Sequence, residues 1–163
     1  MLQALSNHSP LKGQHTVEVM ALTNQLLNVL NASENVKTII RETAELHNIG
    51  WITFTAEFCE FTGRYSDEQF QLMRTYPEAG AEYLKAKGVS TDVIEAVRYH
   101  AHNYDPNLPL AAKVIRFTRD FRKVLEMKDR FPTMKDALQD MQNMSGKAYD
   151  PAICEAAWIA FDE

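Results

Sequence analysis

The run Leu46-His47-Asn48-Ile49-Gly50-Trp51 sets an imidazole beside a carboxamide at the point where a helical pattern ends. An imidazole is a good transition-metal ligand. Asn48 has the shape of a carboxylate without its charge, which makes it a poor ligand for a hard divalent cation. Two more imidazoles, His100 and His102, flank Ala101, whose side chain has no donor atom. Further on, Arg116, Arg119 and Lys123 recur at spacings of three and four, with Arg122 around the edge. Residues so spaced share a helix face, and such a face could receive a phosphate-bearing ligand. With Asp120 and Glu126 interleaved, the same pattern also describes a solvated, ion-paired face. Trp51, Phe54, Phe58, Phe61 and Tyr65 suit core packing or, where exposed, an apolar docking patch. Cys59 and Cys154 fit no CxxC pattern and are expected to be buried reduced thiols.

The elements that must position these residues are helical nearly throughout. Apolar positions at Val17, Val19, Met20, Leu22, Leu26, Leu27 and Leu30 predict a helix from about Lys12 to Leu30, leaving residues 1–11 as a loose N-terminal segment. Ser33 caps a second helix that ends near His47. Gly50 to Gly63 lacks helical spacing and is expected to be an irregular segment packed on the domain. Ser66-Asp67-Glu68-Gln69 fits a capping box, Pro77 opens the next helix, and another covers about Thr91 to Ala101. After the Asp105–Pro109 turn a long helix spans roughly Leu110 to Met127. Thr133 and Asp150-Pro151 begin the last two. The chain is therefore expected to be all-α, with residues 1–163 forming a single domain. Its net charge of −5 is spread among interspersed acids and bases, so no basic tract for nucleic acid is present. No apolar run is long enough to insert in a membrane, and the start lacks the pattern of a secretory signal. The expected compartment is the cytoplasm.

Three blocks, in order and spacing, resemble the HD-GYP family, bacterial phosphodiesterases that hydrolyse cyclic di-GMP. The first runs from His47-Asn48-Ile49-Gly50 through Ser66-Asp67-Glu68-Gln69-Phe70 to Met73-Arg74-Thr75-Tyr76-Pro77-Glu78-Ala79-Gly80. The second is Val97-Arg98-Tyr99-His100-Ala101-His102-Asn103-Tyr104-Asp105. The third is Gly146-Lys147-Ala148-Tyr149-Asp150-Pro151. The resemblance covers about His15 to Phe161 and implies a compact HD-domain bundle of about seven helices. A start so near His15 would suit a fragment or a short stand-alone form.

Within that resemblance His15, His47 and His100 match metal ligands, and the rest of the centre is altered. Asn48 replaces a bridging Asp, Tyr76 and Ala101 replace histidines, and Arg119 replaces an Asp on the long helix. Trp51 stands where the family has a Lys that contacts substrate phosphate, and the Gly-Tyr-Pro loop is cut down to Asp105–Pro109. Loss of outer-shell support alone costs about 10–100-fold in affinity or activity. The vestigial site is thus expected to hold no cofactor, with Arg119 filling the emptied position and donating to Asn48, and Tyr76 turning its hydroxyl into the same pocket. The expected function is a catalytically inactive module of bacterial signal transduction that acts on a protein partner, as a dimer or a hetero-complex. One alternative is a non-hydrolysing receptor for cyclic di-GMP or another nucleotide, using Arg116, Arg119 and Trp51. Another is a remodelled phosphohydrolase holding Zn, Fe or Mn through His15, His47, His100 and His102.

Overall fold

A computed structural model describes residues 1–162. Ten α-helices follow in order: α1 (Leu2–His8), α2 (Pro10–Leu27), α3 (Glu34–Leu46), α4 (Ala56–Glu60), α5 (Asp67–Met73), α6 (Tyr76–Ala86), α7 (Thr91–Tyr99), α8 (Leu110–Glu126), α9 (Met134–Gln142) and α10 (Pro151–Phe161). A 3-10 turn over Ile49–Thr53 links α3 to α4. Among the described residues there is no β-strand, so the all-α expectation holds. The count exceeds about seven because α1 and α4 are too short to show a period in sequence.

Residues 1–11, expected to be loose, are ordered helix. Leu5 is 1% exposed, and the His8 imidazole bonds the Phe54 carbonyl at 2.7 Å. The Ser9 hydroxyl accepts the Lys12 N–H at 3.1 Å and Pro10 occupies the first turn, so α2 starts two residues earlier than its periodicity suggests. Two anchors, one apolar and one polar, offset the entropy of ordering this segment. Gly50 to Gly63, expected to be irregular, is likewise the 3-10 turn and α4. Gly50 is required there. A Cβ at this position would overlap the Tyr76 carbonyl oxygen, so only glycine lets the turn lie against the start of α6.

Several predicted starts appear as drawn. Ser66 and Gln69 form a reciprocal capping box, Ser33 accepts the Val36 N–H, and Asp150 accepts the Ala152 N–H. The long helix spans 110–126, close to its expected bounds.

Two apolar clusters make the core. Phe117 and Phe121 of α8 pack with Leu26, Ile40, Ile153 and Phe161. Leu5, Ile49, Trp51, Leu84, Val93 and Val97 form the second, beneath α6 and α7. Each such large side chain contributes about 1.5–3 kcal/mol when fully buried. A polar seam runs between the clusters, where Thr16, Thr23, His47, Asn48, His100, Thr118 and Arg122 are all buried. Thr23 and Thr118 share a hydrogen bond of 3.0 Å that joins α2 to α8. The buried stripe of α2 is thus Lys12, Thr16, Val19, Thr23 and Leu26, whereas Val17 is half exposed. No helix among the described residues is long and apolar enough to cross a membrane.

Candidate functional site

The seam opens into a cavity of about 980 Å³. The ends of α3, α6 and α7 and the sides of α2 and α8 bring His15, His47, Asn48, Trp51, Tyr76, Ala101, His102, Arg116 and Arg119 to its walls. His100 lies directly behind, with its ring 5.4 Å from that of His47 in an edge-on contact. Residues up to 104 positions apart in sequence therefore converge as the resemblance implies.

The tautomers follow from the backbone. His100 Nδ1 lies 2.5 Å from the Val97 carbonyl and must donate to it, so its Nε2 is an acceptor. Tyr76 Oη, 3.0 Å away, donates to that nitrogen. Arg119 Nη1 donates to Tyr76 Oη at 3.2 Å, and Arg119 Nε and Nη2 donate to Asp120 Oδ1 at 3.0 and 2.8 Å. A single directed chain thus runs from the guanidinium through the phenol to the imidazole. His47 Nδ1 donates to the Ala44 carbonyl at 2.7 Å. Its Nε2 is buried with no partner, the only such side-chain atom among the described residues.

Two details differ from expectation. Arg119 does not donate to Asn48. Asn48 sits just past the C-cap of α3, at the start of the 3-10 turn, and its Nδ2 donates to Thr16 Oγ1 at 3.0 Å, while Thr16 passes its own proton to the Lys12 carbonyl. Arg119 instead meets Asp120 and Tyr76. The cationic face of α8 is also only partly solvated, with Lys123 exposed. Its partners are Asp120 and Glu126, as that pattern implied, but Arg119 and Arg122 are only 15% and 7% exposed and form a cavity wall. Arg116 donates to Asp120 at 2.9 Å and to the Ala101 carbonyl at 2.6 Å. Trp51 is buried, with Tyr76 and Phe58 rings beside it and the Lys12 ammonium 3.8 Å above its ring. It therefore offers no open face to a nucleobase. Of the exposed aromatics, Phe61 and Phe70 line the cavity.

Electrostatics follow burial. Enclosure pushes the His47 imidazole down to about 3, with Arg119 and Arg122 adding to the effect. Burial, then the neighbouring His47 and Arg119, holds His100 well below its ordinary value. His15 is pushed to about 4 by burial and by Arg122 and Lys12. Burial opposes the Asp120 carboxylate, yet Arg119 and Arg116 more than offset it and hold Asp120 below the usual range.

Could this donor set hold the metal of a phosphodiesterase? Among the described residues no group of three or more His, Cys, Asp or Glu side chains is placed to bind one ion. His100 Nε2 is already bonded to Tyr76, His102 is exposed and stacked edge-on against Tyr99, and a guanidinium stands among the imidazoles. These residues do not fit a di-metal centre, and no step is derived through one.

Lys12 is the site residue that motif reading passes over. It heads the buried stripe of α2 and is 9% exposed. A lysine at the head of a stripe of Thr, Val and Leu at spacings of three and four is the signal that could have found it. Asp120, which gathers Arg116, Arg119 and the Tyr149 hydroxyl at 2.8 Å, is the second.

Comparison with known proteins now adds to this geometry. A cyclic di-GMP phosphodiesterase of Thermotoga maritima is 22% identical over 158 aligned residues, covering 88% of this chain and 43% of that protein. The chain thus spans less than half the length of this relative. A family model described as "HD domain" matches residues 1–153. With almost its whole length matched, the chain belongs to the HD-domain family.

Proposed function

We propose that this chain is a catalytically inactive, HD-GYP-like signalling module that works by binding a protein partner rather than by turnover. The observation that carries the proposal is the directed chain from Arg119 through Tyr76 to His100. It satisfies with protein hydrogen bonds, and a fixed positive charge, the nitrogen that a metal would otherwise need. Asn48 is tied by its Nδ2 to Thr16, so the His47-Asn48 pair offers only neutral donor atoms and no anion. Hydrolysis by a metal-bound hydroxide requires open positions on an ion held by several ligands. The residues here supply neither a carboxylate bridge nor a free set of imidazoles.

The test is elemental analysis of the protein as purified, followed by assays on cyclic di-GMP and a generic phosphodiester with added Mn, Fe or Zn. The expected results are metal well below one equivalent and no turnover above buffer. A stoichiometric metal with activity that His47→Ala abolishes sinks the proposal.

A second reading, a receptor that holds cyclic di-GMP or another nucleotide without cleaving it, is favoured by one observation. The cavity is large and its lining holds seven Lys or Arg side chains against a single carboxylate, Glu78. Against a base-stacking role for Trp51 stands its covered ring.

A further inference from the structure

In a chain of net charge −5, the seven cations around one cavity are a strong segregation of charge. Most have protein partners. Arg98 pairs with Glu78, Glu82 and Glu95, Arg116 and Arg119 with Asp120, and Arg122 with Glu18 at 3.4 Å and Glu126 at 2.5 Å. Lys12, Lys123 and the exposed Arg74, whose guanidinium lies 5.8 Å from the Phe70 ring, do not. Neither ammonium has a hydrogen-bond acceptor or ion-pair partner among the described residues. Lys12 is nine-tenths buried; its ammonium sits over the Trp51 ring, which attracts a cation but supplies no acceptor, and Glu60 acts on it only at longer range. An ammonium removed from water and left without an acceptor costs several kcal/mol in principle, and burial is the chief cause that pulls the Lys12 pKa down. Its Nζ retains contact with the cavity, so the missing acceptor can arrive from there. Lys123, an exposed residue of α8, lines the same cavity, with Arg119 and Arg122 as neighbouring cations.

His15 completes the arrangement. It lies on α2 between Lys12 and Arg122 and makes no side-chain hydrogen bond among the described residues. Being neutral, it still has one N–H to donate.

We infer that Lys12, His15 and Lys123, backed by Arg122, form a metal-free binding site for a phosphoryl anion, with the ammonium groups of α2 and α8 as its principal donors. The inference rests on the reading that no metal occupies this region, and it adds the chemical class of ligand. Arg116, Arg119 and Trp51, which spacing and resemblance suggested as ligand contacts, are already engaged with protein groups. The site therefore lies one helical turn away, toward the start of α2. Phe61 and Phe70 in the cavity lining leave room for an apolar or planar body on the ligand, so the phosphoryl group can be free phosphate or the terminus of an ester.

The test uses the full chain after chelator treatment, with metal content measured in parallel. Inorganic phosphate, a nucleoside monophosphate and cyclic di-GMP are titrated by calorimetry at constant ionic strength, with chloride as the reference salt. Saturable phosphate binding is expected, and Lys12→Met should weaken it by about tenfold or more, the worth of one charge-assisted hydrogen bond. Lys123→Gln should weaken it as well, and Lys135→Gln, on exposed α9, should leave it unchanged. Lys12→Met removes an unpartnered buried charge, so it should fold with an equal or higher melting temperature and remain a fair test. Tighter binding of the monophosphate than of phosphate assigns the site to an ester. Tighter binding of cyclic di-GMP, lost with Lys12→Met, assigns it to a diester. Phosphate that acts no differently from chloride, or binding indifferent to Lys12→Met, overturns the inference. Bound metal with turnover would instead overturn the inactive-module reading, and the parallel metal measurement tells the two failures apart.

Discussion

At the scale of single residues, the buried polar seam is held by hydrogen bonds of unequal quality. The Tyr76 hydroxyl serves both as donor to His100 and acceptor from Arg119. Tyr76→Phe leaves a buried imidazole nitrogen and a guanidinium arm unpaired, so a loss of about 1–3 kcal/mol is expected in urea unfolding. His47 behaves differently because its Nε2 already has no partner. His47→Leu removes that orphan but frees the Ala44 carbonyl, so at pH 7.5 the two changes nearly cancel. Acid separates them. In the unfolded chain His47 takes a proton near 6.5, in the native state only near 3. The unfolded chain therefore binds more protons throughout that window, and stability falls as pH drops from about 6.5 toward 3. At pH 5 His47→Leu should gain about 2 kcal/mol on the parent relative to pH 7.5, measured by denaturant midpoints at the two values. An unchanged difference would contradict a neutral, buried His47.

At the scale of elements, two short contacts fix how the walls meet. Gly50 lets the 3-10 turn touch the first turn of α6, and Gly50→Ala should cost about 1–3 kcal/mol by pushing Tyr76 off His100. A melting curve reads that loss directly. Ser9 both ends α1 and caps α2 while fully buried. Ser9→Ala should cost about 1 kcal/mol, and since the cap sets the register of Lys12 and His15, phosphate binding should weaken alongside stability. Periodicity predicted most helices because their apolar faces repeat, as in α8 with Val114, Phe117, Phe121 and Val124. It misjudged α2, whose buried stripe is half polar and whose Val17 faces solvent. Short α1 and α4 were not legible, because five to seven residues hold too few turns to establish a period.

At the scale of the whole molecule, the chain is an acidic protein with a basic cavity set between two apolar clusters. Residues 1–8 anchor the start of α2 by packing Leu5 into the second cluster and bonding His8 to the Phe54 carbonyl. Deleting residues 1–8 should lower the melting temperature and loosen the Lys12 wall, read as faster amide exchange at the start of α2. Residue types and their order determined, without any coordinates, the all-α class and the HD-domain family. Helical periodicity carries the first, and the resemblance of the ordered motifs carries the second. Tertiary structure alone decided which acceptor each donor meets. It gave Arg119 to Tyr76 and Asp120 rather than Asn48, covered Trp51 with an ammonium, and left that Lys12 ammonium without a hydrogen-bond acceptor among the described residues. Hydrogen-bond partnership depends on distances of a few tenths of an ångström between helices remote in sequence, and no local pattern encodes those distances.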